Sequence, residues 1–92
     1  MSWVYMVRCR DGSLYTGWTQ NLPRRLAAHN SGTGAKYTRS RGPVALAWAE
    51  EAGDKKQAMA REAAVKKLAK PQKEALAAEY SRQTGQKQEQ TL

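Results

Sequence analysis

The chain has 92 residues, with 16 Lys and Arg against 8 Asp and Glu, which gives a formal net charge of +8. This length makes one small domain and excludes a cofactor-binding half joined to a substrate-binding half. The single Cys and single His exclude an internal disulfide and a structural zinc site, which needs about four such ligands. No apolar run approaches the roughly 18 residues of a membrane span, and a strand-like pattern begins directly after Met1. We therefore expect a soluble, cytoplasmic protein.

The positive charge is concentrated in the first half of the chain. Residues 1–46 carry seven cations and one anion, a balance of +6, whereas residues 47–92 carry nine cations and seven anions, a balance of +2. A local excess of Lys and Arg predicts a polyanionic partner, because cations that neutralise phosphates release condensed counterions. The alternative is a basic charge that serves solubility alone.

The first two β-rich runs, Trp3–Cys9 and Ser13–Trp18, predict a hairpin. A two-residue loop between them would place the two tyrosines on opposite faces. A three-residue loop with Gly12 in the left-handed conformation gives other pairs: Cys9 with Ser13, Val7 with Tyr15, and Tyr5 with Gly17. We predict the three-residue loop, because Gly12 stands where that turn needs a positive φ. Both tyrosine hydroxyls then lie on one face of the sheet.

A helix is predicted over Leu22–His29, capped by Asn21. Arg25 and His29 share its core-facing stripe with two leucines, which is an unusual place for an arginine. The twelve-residue segment Ser31–Gly42 follows, and we predict a loop. A connection of this length favours a functional role.

The second half of the chain begins with a third predicted strand, Val44–Glu50. Its nearly continuous apolar pattern predicts that both faces are covered. Asp54, with Gln57 three residues later, predicts a capping box that opens a long helix over Lys55–Lys70.

The long helix carries one carboxylate on its apolar side. The predicted apolar stripe contains Ala58, Met59, Val65, Leu68 and Ala69. Glu62 lies four residues after Ala58 and three before Val65, so its carboxylate points along the stripe. The alternative for Glu62 is an ordinary exposed ion pair with Lys66, four residues further on.

A last helix is predicted from Pro71 to Tyr80, because proline suits the first turn of a helix. Leu76 and Tyr80 form its apolar side. Two acidic residues are expected to face water, Glu74 and Glu79. Residues 81–92 lack an apolar period, and we predict a flexible polar tail.

These residues together resemble the GIY-YIG nuclease family. The two tripeptides are present as Trp3-Val4-Tyr5 and Tyr15-Thr16-Gly17, and Arg25 follows the second tyrosine by ten residues. His29 and the helical Glu62 complete the set. The resemblance covers about residues 3–76. Within the family, the chain is similar to the small stand-alone bacterial members. It implies an α/β (α+β) fold, a small three-stranded, mainly antiparallel sheet flanked by three helices, in one domain over residues 1–80.

The resemblance also implies a mechanism, namely divalent-metal-dependent hydrolysis of DNA phosphodiesters with little sequence specificity. Glu62 would hold one Mg²⁺ or Mn²⁺ ion, and Arg25 would neutralise charge on the phosphoryl group. Tyr5 and Tyr15 would orient or deprotonate the water, with His29 as helper or proton acceptor. The sequence leaves open which tyrosine is the base. The residues expected to contact nucleic acid are Arg24, Lys36, Tyr37, Arg39, Arg41 and Lys66.

The chain departs from the family pattern downstream of Glu62. Many relatives carry an Asn there, whereas this chain has none up to Tyr80, and Gln72 is the nearest amide. Two other hypotheses are therefore kept. One is a non-catalytic nucleic-acid-binding module with the same fold, and the other is a protein-interaction domain whose charge serves solubility.

Overall fold

The structure, a computed structural model, describes residues 1–84 and contains a three-stranded sheet with four helices in that range. The elements are β1 (Trp3–Arg8), β2 (Leu14–Thr19), α1 (Leu22–Asn30), α2 (Lys36–Arg39), β3 (Ala45–Glu51), α3 (Lys55–Lys66) and α4 (Lys70–Thr84). The strand order is β2-β1-β3, and both pairings are antiparallel. The predicted fold class is confirmed. The helix that was not predicted is α2, which lies inside the segment predicted as a loop. Across residues 1–84, every helix is too short or too polar to cross a membrane.

The hairpin between β1 and β2 has the predicted three-residue loop. The Cys9 N–H donates to the Ser13 carbonyl at 2.8 Å, and Gly12 has φ +87°, the left-handed conformation that glycine adopts without strain. Tyr5 pairs with Gly17, and Val7 with Tyr15, so the predicted register is confirmed. Tyr5 and Tyr15 therefore lie on the same face.

The central strand β1 separates two hydrophobic clusters, because its side chains alternate between the two faces of the sheet. The cluster beneath α3 and α4 contains Val4, Met6, Trp48, Ala58 and Val65. The cluster beneath α1 contains Tyr5, Val7, Cys9 and Val44, with Leu22 and Leu26 packed against it. All four residues from Val4 to Val7 have no exposed surface. Both faces of the sheet are therefore covered at β1.

The third strand is an edge strand, and both of its faces are covered in part, because Trp48 lies in one hydrophobic cluster while Leu46 and Ala49 pack against the other. Trp48 is the one buried residue of β3, and the other positions are half-buried or exposed. The fully covered strand is β1.

Helix α3 begins as predicted and ends earlier. The Asp54 carboxylate accepts from the Gln57 N–H at 2.8 Å, and the Gln57 side chain accepts from the Asp54 N–H at 3.2 Å. The helix ends at Lys66, because Pro71 has no N–H to donate to the Lys67 carbonyl and its ring would clash with that carbonyl if the helix continued. Gln72 accepts from the Ala69 N–H at 3.0 Å at the start of α4.

The predicted apolar stripe of α3 is wrong at two positions. Met59 is exposed, since it is one residue from the buried Ala58 and turns away from the sheet. Ala69 is exposed and follows the end of the helix. The predicted end of the last helix is also wrong, because α4 continues through residues 81–84. The rest of the predicted tail, residues 85–92, lies outside the described residues.

Glu74 was expected to face water but instead joins α4 to the end of β1. Both terminal nitrogens of Arg8 donate to the Glu74 carboxylate, at 2.5 and 2.6 Å. Arg8 also donates to the Gly12 carbonyl at 3.1 Å, so the hairpin turn and α4 share one guanidinium. The hydrogen bonds from Arg8 lower the pKa of Glu74. Glu79 is exposed, as predicted.

Replacing the carboxylate of Glu74 tests this connection. Glu74→Gln should reduce the free energy of unfolding by about 0.5–1 kcal/mol at neutral pH, because the two side chains are 37% and 35% exposed and solvent weakens the pair. The pKa of Glu74 is lowered by folding, so its contribution is present above the ordinary value of about 4.3. That contribution is lost as the pH falls through the folded value.

Urea titrations over a pH series measure this difference. Glu79→Gln, on the exposed side of the same helix, is the matched control and should change stability by less than about 0.5 kcal/mol. A difference between Glu74→Gln and the unsubstituted chain that does not shrink on acidification would contradict the ion pair.

Candidate active site

Helix α1 closes the sheet face that carries the two tyrosines. The Asn21 side chain accepts from the Arg24 N–H at 3.1 Å, and a proline occupies the first turn, so the start of the helix is fixed. Its apolar stripe then brings Arg25 and His29 to the sheet. His29 is 1% exposed, and Arg25 is half-buried.

Four of the five predicted catalytic side chains form one cluster. The Tyr5 Oη lies 2.8 Å from His29 Nε2, and Arg25 Nε donates to the same hydroxyl at 3.3 Å. Tyr15 contacts His29 edge to face, with ring centroids 5.5 Å apart. The juxtaposition arises from the hairpin register and the helical spacing together.

Gly17 makes room for this cluster. A Cβ atom at this position would lie 2.6 Å from Tyr5 Oη and 3.3 Å from Tyr15 Cε2. The first of these distances is shorter than Cβ atoms in proteins show. The missing side chain therefore allows the Tyr5 ring to lie directly over β2. Gly17 is required by a close approach, since its backbone is ordinary strand.

Burial and one cation set the protonation states of the cluster. Burial raises the pKa of Tyr5, and Arg25 opposes that effect. Burial, and then the positive charge of Arg25, lower the pKa of His29. The hydrogen bond to Tyr5 raises the pKa of Arg25. At neutral pH the cluster therefore holds a protonated phenol, a neutral imidazole and a guanidinium cation.

The sequence reasoning missed two residues that hold His29 from the other side. Thr38 of α2 is 1% exposed, and its Oγ1 lies 2.8 Å from His29 Nδ1 and 3.1 Å from the Ala35 carbonyl. Gly34 also lies against the imidazole, because a Cβ there would be 2.5 Å from Nδ1. No local pattern marks these residues, since the contact exists only after the segment 31–42 folds back onto α1.

Asn30 holds that segment in place. Its side-chain oxygen accepts from the Val44 N–H at 2.7 Å, and its side-chain nitrogen donates to the Val44 carbonyl at 3.1 Å. The Asn30 amide thus pairs with both backbone polar groups of Val44, as a neighbouring strand would. In the sequence, Asn30 stands at the end of a predicted helix, and nothing local indicates this contact.

A stack of side chains extends from the cluster toward solvent. Tyr37 stacks on Tyr15, with centroids 5.6 Å apart and planes at 25°. The Arg41 guanidinium lies 4.0 Å from the Tyr37 ring centroid and donates to Asp11 at 3.2 Å. Two of the predicted nucleic-acid contacts, Tyr37 and Arg41, therefore border the cluster directly.

Three further predicted contacts surround the cluster without touching it. Lys36 and Arg39 are exposed on α2, and Arg24 is exposed on α1. Arg24 and Arg25 line an open cleft of about 240 Å³ with Thr19, Asn21 and Ala28. These cations give the site a positive rim.

Glu62 is the fifth predicted catalytic residue, and it is separate from the cluster. It lies on α3, its side chain is 20% exposed, and Lys66 Nζ is 3.4 Å from its carboxylate. Its negative charge contributes to the raised pKa of Tyr5, after burial and Tyr15. Among residues 1–84, no three His, Cys, Asp or Glu side chains are grouped to hold a metal ion.

Residues 1–75 match the family model of the GIY-YIG catalytic domain. The chain belongs to the GIY-YIG family. A relative in this family, a UPF0213 protein of Clostridium perfringens, is 55% identical over 73 residues, which cover 79% of this chain and 78% of the relative. A UPF0213 protein of Halobacterium salinarum is 51% identical over 76 residues, which cover 83% of this chain and 99% of the relative.

Two solved structures are similar to this chain in sequence and fold. The solution NMR structure of a UPF0213 protein from Bacillus halodurans is 46% identical, with a TM-score of 0.54 over 85% of this chain and 84% of that chain. A second NMR structure, of a protein from E. faecalis, is 46% identical, with a TM-score of 0.55 over 82% and 81%. The GIY-YIG domain implies the endonuclease superfamily, whereas the UPF0213 name states no activity.

The close approach at Gly17 can be tested by adding one methyl group. Gly17→Ala should displace the Tyr5 ring from His29 and reduce the free energy of unfolding by about 1–3 kcal/mol, because the added Cβ overpacks a buried contact. Urea unfolding measures the stability, and the ¹⁵N NMR signals of the His29 ring report the displaced hydroxyl.

The matched control is Gly42→Ala. The nearest atom to a Cβ at Gly42 is the Thr38 carbonyl oxygen at 4.0 Å, so the change should cost less than about 0.5 kcal/mol. Equal effects of the two substitutions would show that Gly17 is not required by the cluster.

Proposed function

We propose that this GIY-YIG chain is an endonuclease that hydrolyses phosphodiester bonds in DNA. The observation that carries the proposal is the contact of the Tyr5 hydroxyl with both His29 and Arg25. Phosphodiester hydrolysis needs a base for the attacking water and positive charge at the phosphoryl oxygens. The cluster offers both, beside a rim of exposed cations.

In this mechanism Tyr5 is the base and His29 its proton acceptor. Tyr5 has no exposed surface in the free chain, so this mechanism requires the cluster to open at the Arg25 side when phosphate binds. As the water oxygen bonds to phosphorus, a water proton then passes to Tyr5 Oη and the Tyr5 proton passes to His29 Nε2, 2.8 Å away. The P–O bond to one sugar breaks, and the leaving oxygen takes a proton from solvent. Tyr15, edge-on to His29, orients the water. The structure favours Tyr5 as the base because its hydroxyl alone of the two has a hydrogen bond to His29 among the described contacts.

Arg25 supports this step in two ways. Its positive charge and its hydrogen bond favour the ionised form of Tyr5 and so oppose the increase in pKa that burial causes. Arg25 also lines the cleft that it shares with Arg24, where a planar guanidinium can hold phosphoryl oxygens.

The donor chemistry of the chain fits one hard divalent cation, on which nucleases of this family generally depend. Glu62 offers a half-buried carboxylate whose charge is felt at Tyr5, and a hard cation held by one carboxylate keeps water and phosphate as its other ligands. Glu62 would therefore hold Mg²⁺ or Mn²⁺, with Lys66 displaced from its ion pair toward phosphate. When bound, the ion would supply charge neutralisation at the phosphoryl group.

The exposed cations support binding without strong sequence preference. Lys36, Arg39 and Arg24 can contact phosphates, which fix position and carry no base information directly. Tyr37 and Arg41 add an aromatic and cationic surface next to the cluster. A non-catalytic binding module remains an outcome of the experiment below, because it predicts salt-dependent DNA binding in EDTA without cleavage.

Loss of the proposed catalytic groups should abolish cleavage. Glu62→Gln and Arg25→Ala should each slow the nicking of supercoiled plasmid in Mg²⁺ or Mn²⁺ by about 100-fold or more, because each removes charge stabilisation that the transition state needs. Gel quantification of nicked plasmid measures the rate, and circular dichroism checks the fold.

Two variants away from the site are matched controls. Glu51→Gln removes an exposed carboxylate and Arg82→Ala an exposed guanidinium, and both should nick at the unsubstituted rate. Full activity of Glu62→Gln would show that the metal assignment is wrong. Binding without nicking by every protein, including the unsubstituted chain, would favour the non-catalytic module.

The nicking rate should also depend on pH through His29. Because its pKa is lowered from an ordinary value of about 6.5, His29 is neutral and able to accept a proton near neutral pH. The rate should therefore be constant there and decrease only on acidification below the ordinary value, as the ring becomes protonated. Fluorescence anisotropy in the same buffers separates this effect from DNA binding. A rate that increases on acidification would contradict the role of His29.

A further inference from the structure

A chain of four hydrogen bonds runs through the buried cluster, and its direction is fixed at both ends. At one end, Arg25 Nε can only donate, and it donates to Tyr5 Oη at 3.3 Å. At the other end, the Ala35 carbonyl can only accept, and the Thr38 hydroxyl donates to it at 3.1 Å. Between these ends, His29 contacts Tyr5 and Thr38, each at 2.8 Å.

The two ends determine which ring nitrogen of His29 carries hydrogen. Each hydroxyl has one hydrogen. The hydrogen of Thr38 is directed at Ala35, so Thr38 Oγ1 accepts, and His29 Nδ1 must be the donor. Tyr5 Oη accepts from Arg25 and directs its own hydrogen at His29 Nε2, which therefore presents a lone pair. All four bonds then run in one direction, from Arg25 to Ala35.

We propose that Thr38 is a positioning residue, which holds neutral His29 in the Nδ1–H tautomer so that Nε2 is free to accept the proton of Tyr5. This role deepens the proposed nuclease function and rests on it for its catalytic meaning. When the Tyr5 proton moves to Nε2, His29 becomes an imidazolium whose Nδ1–H still donates to Thr38, and Tyr5 Oη takes the proton of the attacking water. In the Nε2–H tautomer that transfer has no acceptor.

Burial leaves Thr38 as the group that selects the tautomer. Thr38 and His29 are each 1% exposed, and the backbone of Gly34 closes the Nδ1 side so tightly that even a Cβ would lie 2.5 Å from that atom. Water therefore has no room to replace the Thr38 oxygen. The titratable and charged groups that face His29 are Tyr5 from β1, Tyr15 from β2 and Arg25 from α1. Helix α2 presents the neutral hydroxyl of Thr38.

The tautomer can be measured directly, because the chain has one histidine. Two-dimensional ¹⁵N NMR of the uniformly labelled full chain, with no affinity tag, gives the ring-nitrogen signals of His29 alone at neutral pH. We expect a protonated Nδ1 and an unprotonated Nε2. Thr38→Val keeps the shape and removes the hydroxyl, so the neutral ring should shift toward Nε2–H. Thr38→Ser keeps the hydroxyl and should retain Nδ1–H.

Plasmid nicking adds the catalytic readout. Thr38→Val should nick about 10-fold or more slowly, because proton transfer to a positioned group contributes on the order of 10²–10⁴ in rate, and Thr38→Ser should restore most of the rate. The proposal is overturned if neutral His29 carries its hydrogen on Nε2 in the unsubstituted chain. It is also overturned if Thr38→Val retains Nδ1–H or nicks at the full rate.

Failure of the proposed function gives a different pattern. A chain that never cleaves DNA but shows the Nδ1–H tautomer, lost in Thr38→Val, loses the nuclease assignment while the positioning of His29 by Thr38 stands. A chain that cleaves and depends on Glu62 and Arg25, but is indifferent to Thr38→Val, loses only the positioning role. If Thr38→Val does not fold, the unsubstituted chain and Thr38→Ser still decide the tautomer.

Discussion

The hydrogen bond between Tyr5 and His29 is the constraint on which the rest of the site depends. A phenol and an imidazole that are both removed from water need partners, because a buried polar group without a partner costs about 1–3 kcal/mol. Here each satisfies the other at 2.8 Å. The missing side chain at Gly17 allows the phenol to lie over β2, and the capped start of α1 sets the rotation that brings His29 to it. Each of these features is explained by the need to make one buried contact.

The two faces of the sheet carry different kinds of residue. Successive residues of β1 point to opposite faces, so Val4 and Met6 enter the apolar cluster beneath α3 and α4 while Tyr5 enters the polar cluster beneath α1. Both sides bury apolar residues. The side beneath α1 also holds a histidine, an arginine and two tyrosines close together. Glu62 belongs to α3, the helix over the other cluster, and its charge contributes to the raised pKa of Tyr5.

The parts of the molecule that could be predicted from sequence are those set by local chemistry. Gly12 fixed the hairpin register, Asn21 the start of α1, and the spacing of Arg25 and His29 their shared stripe, so the cluster itself was predictable. Resemblance to the GIY-YIG family added the roles of its members, and the family assignment is confirmed by the match over residues 1–75. The catalytic roles themselves stay predictions.

The features that sequence could not predict depend on contacts between distant segments. Thr38 touches His29 only because the Asn30 amide holds Val44 and folds the intervening segment back. Glu74 is indistinguishable from Glu79 along α4 until the end of β1 places Arg8 beside it. The exposed fraction of the β3 residues depends on the position of the strand at the edge of the sheet, which its apolar sequence does not indicate.

The two hydrogen bonds between the Asn30 side chain and Val44 affect which positions of the chain tolerate substitution. Two side-chain hydrogen bonds close the segment from residue 31 to residue 43, so its ends are held without help from Lys36 and Arg39. Thr38 points inward from α2, whereas Lys36 and Arg39 are exposed on the same short helix. Lys36 and Arg39 can therefore be exchanged without disturbing the buried groups. A chain this small thus combines outer positions that tolerate substitution with a fixed interior.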